Sequence, residues 1–184
     1  MVARANSHDD SPPLHYTDYA NKSLDTPFAD LPVMTQAFPE PAAPRALLVV
    51  AAALVDVHGR ILMQQRPPGR EHAGLWEFPG GKLERGEGPV AALIRELHEE
   101  LAIAVAPADC VALGFAATHD QAGVRPVILL LYGCCTWRGD PVSQEGAALA
   151  WVDAPGLSER ALPPLDVPLI GPALAFAAAF AANR

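Results

Sequence analysis

An α/β layered domain is what this sequence predicts, and three observations predict it. Apolar runs of strand length recur along the chain and end in Gly, Pro or Asp. Two helical stretches, residues 89–101 and 172–182, stand far apart with strands before and between them. The chain has 184 residues, enough for one sizeable core and short for two, and it contains no internal repeat.

The elements follow in order. Residues 1–44 are rich in Pro, Ser, Asp and Asn, and their bulky apolar residues are too scattered to pattern. They read as a disordered extension, with the folded domain at 45–184. Residues 46–55 form an apolar, partly β-branched run that ends in a turn at 56–59. A second strand at 60–66 then completes a hairpin. Residues 75–78 are short and apolar and are broken by Pro79, Gly80 and Gly81. After a polar loop to Gly88, residues 89–101 read as a helix with Pro89 in its first turn, where the missing N–H costs nothing. Residues 110–117, 126–137 and 147–152 read as strands, and the Ala- and Phe-rich stretch 172–182 closes the chain as a helix.

Composition excludes several classes of function. With 13 basic and 21 acidic residues the net charge is −8, the wrong sign for a sequence-independent nucleic-acid binder. An acidic protein can still take a nucleotide if metal ions offset both sets of negative charge. Cys110, Cys134 and Cys135 lack CxxC spacing, which argues against a disulfide scaffold or zinc site and fits a reducing compartment. Residues 1–30 contain no apolar leader core, and the longest uncharged run, 167–182, is short of the roughly 20 residues of a membrane span. The expectation is a soluble, cytoplasmic monomer that touches neither membrane nor nucleic acid.

Residues 81–103 carry the chemistry. At about 100° per residue, Val90, Leu93, Ile94, Leu97 and Leu101 share one face of the helix. Glu96 and Glu100 lie together beside that stripe, and Glu99 extends the acidic edge. Held rigidly ~5 Å apart at an effective dielectric of ~20, each carboxylate pair costs roughly 3 kcal/mol. A divalent cation removes that cost, and hard oxygen ligands suit Mg²⁺ or Mn²⁺. A Glu-rich helix edge is usually just a solvated face. Here a glycine turn precedes it, Glu87 stands at its entrance and Arg95 sits inside the cluster as a counter-charge. Together these features mark a built site.

Gly81, five residues, Glu87, seven residues, then Arg95-Glu96-Leu97-His98-Glu99-Glu100-Leu101-Ala102-Ile103 resembles the Nudix box. One position departs: Ala102 stands where the family has a glycine that ends the helix, which predicts a slightly altered helix exit. The resemblance continues through 48–66, Trp76-Glu77-Phe78-Pro79-Gly80-Gly81 and Glu145-Gly146 with Trp151, and is to the MutT branch. It covers about residues 46–184. It implies a Nudix α/β/α sandwich around a mixed sheet and Mg²⁺-dependent hydrolysis of nucleoside triphosphates to monophosphate and pyrophosphate.

The same resemblance implies roles. Glu96, Glu99 and Glu100 carry the metal, with the Gly81 carbonyl as a further ligand. Glu145 is a metal ligand or the base; a surface loop glutamate is the bland alternative. Glu87 and Arg95 form a supporting ion pair. His98 is a surface residue. Arg66 lies near the sugar and phosphate, and Phe78 lines the base pocket. Arg125 contacts phosphate or base, or is simply an exposed charge at a strand start. Residues 162–166 resemble the loop that reads the purine edge, but Asp166 replaces the usual asparagine. An ionised Asp accepts hydrogen bonds and donates none. It suits N7–H of an 8-oxopurine or the amino group of cytosine, and it puts the oxidised-guanine assignment in question. Cys134, Cys135, Trp76 and Trp151 are read as sheet packing.

The favoured substrate is 8-oxo-dGTP. The alternatives are a CTP-type pyrimidine triphosphate, a nucleoside diphosphate derivative, or a catalytically dead nucleotide-binding regulator. ADP-ribose-directed members carry a proline beyond the box where this chain has Ala117 and Thr118, and dinucleoside-polyphosphate members carry a tyrosine near His119 and Asp120. Neither is present, and a dead site would lack a box carboxylate.

Overall fold

Apolar residues at every position of β1 (Leu47–Leu54) make a strand that can be buried on both faces, and the computed structural model places it at the centre of the domain. The structure describes residues 46–118 and 125–183. The extension at 1–44, together with His119 and Asp120, lies outside them. After β1 come β2 (Ile61–Gln65), β3 (Trp76–Glu77), β4 (Gly80–Lys82), α1 (Pro89–Leu101), β5 (Val111–Ala117), β6 (Val127–Cys134), β7 (Leu149–Val152), α2 (Ala154–Ser158) and α3 (Ile170–Ala182).

The strands form a mixed four-stranded sheet, ordered β4-β1-β6-β5, and a three-stranded antiparallel sheet, ordered β3-β2-β7. Only β1 and β6 run parallel. Alternation along β1 divides the core in two. Val50, Ala52 and Leu54 pack with Leu93, Leu97 and Leu101 of α1, while Ala51 and Ala53 pack with Ala173 and Ala177 of α3. Strand β2 splits in the same way, with Leu62 in the α1 layer and Ile61 and Met63 in the α3 layer. Both sheets are therefore covered by α1 on one face and α3 on the other, the expected α/β/α layering.

Four details differ from the sequence reading. First, β1 and β2 do not pair as a hairpin. Asp56 accepts from the His58 and Arg60 amides at 2.9 Å each and donates its own N–H to the Arg60 carbonyl, and past a Val55–Ile61 bridge the strands enter different sheets. Second, the edge of β1 that a hairpin would have used belongs to β4: the Pro79-Gly80-Gly81 stretch, expected only to break a strand, forms one against Val49–Ala51. Third, α3 begins at Ile170, with Pro172 inside its first turn. Fourth, a short helix, α2, was not expected; Asp153 caps it by accepting from the Gly156 amide at 2.9 Å.

Helix α1 ends as a glycine-terminated helix would. Ala102 takes the left-handed conformation (φ 55°, ψ 28°), and its N–H donates to the His98 carbonyl at 3.0 Å. The exit geometry is kept, and Ala102 bears the strain of its own Cβ. Ala102→Gly is accordingly expected to stabilise the protein by about 1 kcal/mol and raise Tm by roughly 3 °C, measurable by calorimetry. An unchanged or lower Tm would show that the strain is relieved elsewhere.

Candidate active site

The helical period that buries Leu93, Leu97 and Leu101 places Glu96 and Glu100 on the flank of α1 that meets β4. Gly81 fits tightly there: a Cβ on it would lie 2.3 Å from the Glu96 carboxyl carbon. The carboxylate of Glu96 thus rests directly on the Gly81 backbone. One oxygen of Glu100 accepts from the Gly80 amide and from Nε2 of Gln64, each at 3.2 Å. Burial, aided by the charges of Glu96 and Glu77, pushes the Glu100 carboxyl up to about 7 despite those two donors.

Arg95 organises the other side of the cluster. Its guanidinium binds Glu87 at 2.7 Å, Glu96 at 2.9 Å, Glu99 at 3.1 Å and the Lys82 carbonyl at 3.0 Å. Glu87 also accepts from the Glu84 amide at 2.6 Å, so the ion pair ties the loop before α1 to the helix. Its arginine partner, with the Glu84 amide, holds the Glu87 carboxyl below the usual range. His98 is exposed.

Among the described residues, no three His, Cys, Asp or Glu side chains already form a metal-holding group. The donor set nonetheless suits Mg²⁺. It offers several carboxylate oxygens and a backbone carbonyl beside a cradle that a single Cβ would fill, and Mg²⁺ needs only one or two protein carboxylates because it keeps water and phosphate ligands.

The remaining site residues divide into two groups. Arg66 is paired with Glu77 and donates through Nε to the Glu71 carbonyl at 2.6 Å. Asp166 is 5% exposed and accepts from the Phe78 amide at 3.1 Å, which brings the 162–166 loop onto the strand-β3 segment that holds Glu77. Burial raises the Asp166 carboxyl to about 7, helped by the charge of Glu77. The Phe78 ring is buried in the α3-side core. Glu145 is exposed and lies 3.4 Å from Arg70, but its neighbour Gln144 donates from its amide to the Glu100 carbonyl at 2.8 Å. That bond anchors the Glu145 loop to the end of α1. Arg125 lies just before β6 and donates to the Ala46 carbonyl, next to the start of β1, at 3.3 Å. Cys134 is fully buried, and Trp137 stacks on Trp151 with centroids 6.0 Å apart.

Sequence reasoning missed Gln64 and Glu77. Gln64 shares its strand face with Leu62, whose side chain is in the α1 core layer, so a polar residue at a core position was the available signal. Glu77 lies inside the recognised stretch but carried no assigned role.

The strand-and-helix cradle thus gathers carboxylates beside Gly80 and Gly81, and comparison with known proteins supplies the class. The NUDIX domain family matches residues 45–170, and the chain belongs to that family as a Nudix hydrolase of the MutT type. It is 34% identical over 134 residues to the CTP pyrophosphohydrolase of Escherichia coli K12, covering 72% of this chain and 96% of that protein. It is 32% identical over 127 residues to the 8-oxo-dGTP diphosphatase of Haemophilus influenzae, covering 68% and 90%. The solution structure of the E. coli ORF135 protein superposes with a TM-score of 0.62 at 34% identity, covering 73% of this chain and 93% of that one. Among the described residues no helix is long and apolar enough to cross a membrane.

Proposed function

We propose that this chain is a Mg²⁺-dependent nucleoside triphosphate pyrophosphohydrolase that clears oxidised nucleotides, with 8-oxo-dGTP as its favoured substrate and Mn²⁺ as an alternative metal. The observation that carries this reading is the seating of Glu96 and Glu100 against Gly80 and Gly81. Glu96, Glu99 and Glu100 would hold the metal, with the Gly81 carbonyl as a further ligand. When bound, Mg²⁺ neutralises phosphate charge and polarises the bond to be cleaved. Arg95 compensates Glu96 and Glu99, and its pairing with Glu87 keeps the loop and helix in register.

Glu145 serves as a further ligand or takes the proton of the attacking water. Its exposed contact with Arg70 is worth less than about 1 kcal/mol, so leaving it costs little. Arg66, held by Glu77 and the Glu71 carbonyl, is preset to meet the sugar and phosphate. Phe78 supports the base subsite from beneath through its backbone and buried ring, and Arg125 is assigned to phosphate or base.

Asp166 reads the base. Its Oδ1 accepts from the Phe78 amide, and Oδ2 would meet the substrate. Ionised, it favours a base edge that presents an N–H and opposes the bare N7 and O6 of dGTP. A second reading, CTP, has its own support: the cytosine amino group offers such an N–H, and a 34%-identical relative is a CTP pyrophosphohydrolase.

The test is kcat/KM for dGTP, 8-oxo-dGTP and CTP with wild type and Asp166→Asn. A buried polar mismatch is worth roughly 1–3 kcal/mol, so the amide is expected to improve dGTP relative to the other two by about ten- to hundredfold. Because the Asp166 carboxyl is raised to about 7, lowering the pH from ~8 to ~6 protonates it. The wild-type preference for dGTP over CTP then rises, while that of Asp166→Asn stays flat. Equal ratios in both proteins would remove Asp166 from base recognition.

A further inference from the structure

We propose that Gln64 is a positioning residue: its buried side-chain amide holds Glu100 and sets that carboxylate in its metal-binding pose. Gln64 lies on β2, the middle strand of its sheet, opposite Glu77 on β3 and Leu149 on β7, and is only 6% exposed. It donates through Nε2 to Glu100 at 3.2 Å, and its register partner across the strands is Glu77. Glu100 comes from α1, so the amide ties the carboxylate helix to strand β2.

The chemistry of the amide suits this position. An NH₂ group is a donor that matches a carboxylate acceptor, and here it is aimed at Glu100. It supplies no net charge, so it orders Glu100 without competing with a cation, as an arginine or lysine would. Of the two donors on the bonded oxygen of Glu100, the Gly80 amide is fixed by the β4–β1 pairing. Gln64 is the one that side-chain substitution can remove. An apolar residue of the same length would leave Glu100 with half of its orienting hydrogen bonds in a buried setting. Groups that orient a ligand in this way typically contribute 10- to 100-fold in metal affinity.

The inference rests on the reading of Glu100 as a metal ligand, and the experiment separates the two. Mn²⁺ alone, without nucleotide, is titrated by electron paramagnetic resonance into wild type, Gln64→Met, Glu100→Gln and the double variant, with Tm recorded for each. Gln64→Met is expected to weaken Mn²⁺ about 10- to 100-fold. In the Glu100→Gln background it is expected to cost nothing more, because the charged ligand that it orients is no longer there. Gln64→Met within twofold of wild type, beside a weakened Glu100→Gln, overturns the role of Gln64 alone. Wild-type affinity in Glu100→Gln overturns the carboxylate site itself. A measurement on the unmutated protein stands beside these: the Gln64 side-chain amide NMR signals are expected to shift on adding Mg²⁺, and unmoved signals would also overturn the proposal.

Discussion

Glutamine at position 100 is expected to lower turnover by about 10³-fold at saturating Mg²⁺ while leaving the domain folded, since a lost metal carboxylate removes several kcal/mol of transition-state stabilisation. The change is nearly isosteric. The amide oxygen of glutamine can still accept from the Gly80 amide and Gln64, so the cradle persists without its charge. Metal-free stability should rise. The Glu100 carboxyl is pushed from 4.5 to about 7, so the folded state binds its proton more tightly than the unfolded chain does. Wild-type stability therefore falls as pH rises through that window. Glu100→Gln does not share the loss, so its Tm advantage is full above pH ~7 and fades as pH drops toward ~4.5. Stopped assays of pyrophosphate release and melting curves at both pH values check the two halves. Near-normal turnover would remove Glu100 from the chemistry.

Alanine at position 80 is expected to be the most damaging small substitution in the fold. Gly80 has φ +150°, and a Cβ on it would lie 2.1 Å from the Val50 carbonyl oxygen and 2.7 Å from the Ala51 Cα. Both obstacles are backbone, so no side chain can rotate away. Strand β4 would have to leave β1, taking with it the amide that orients Glu100. The expected cost is about 3 kcal/mol or more, read as a shift in urea midpoint, with activity lost alongside. Gly171→Ala is the control. Nothing lies within 4 Å of a Cβ there, the residue is helical, and helix propensity favours alanine by about 1 kcal/mol. Equal effects at the two positions would show that the clash at Gly80 is relieved by movement.

Much of this was legible from local pattern. The apolar stripe of α1 follows the helical period, and its bounds came out as read because Pro89 opens it. The carboxylates and Arg95 are confined to that helix and the loop before it, so spacing placed them. Contacts across long stretches of chain were not legible. Gln64 reaches Glu100 across 36 residues and Phe78 meets Asp166 across 88, and no periodicity encodes either. Strand β4 was hidden because two of its three residues are glycines, poor strand formers by propensity. They are there because only a residue without a Cβ fits so close to β1 and Glu96. The hairpin was misread for a related reason: turn chemistry at Asp56 is local, whereas β4 displacing β2 from the edge of β1 is tertiary.

The most direct test of the account is product analysis by ³¹P NMR with 8-oxo-dGTP and with CTP, each in Mg²⁺ and in EDTA. The account predicts nucleoside monophosphate and pyrophosphate in equal amounts, no turnover in EDTA, and recovery when Mg²⁺ is restored. Release of inorganic phosphate with a nucleoside diphosphate, or an unchanged rate in EDTA, would contradict it.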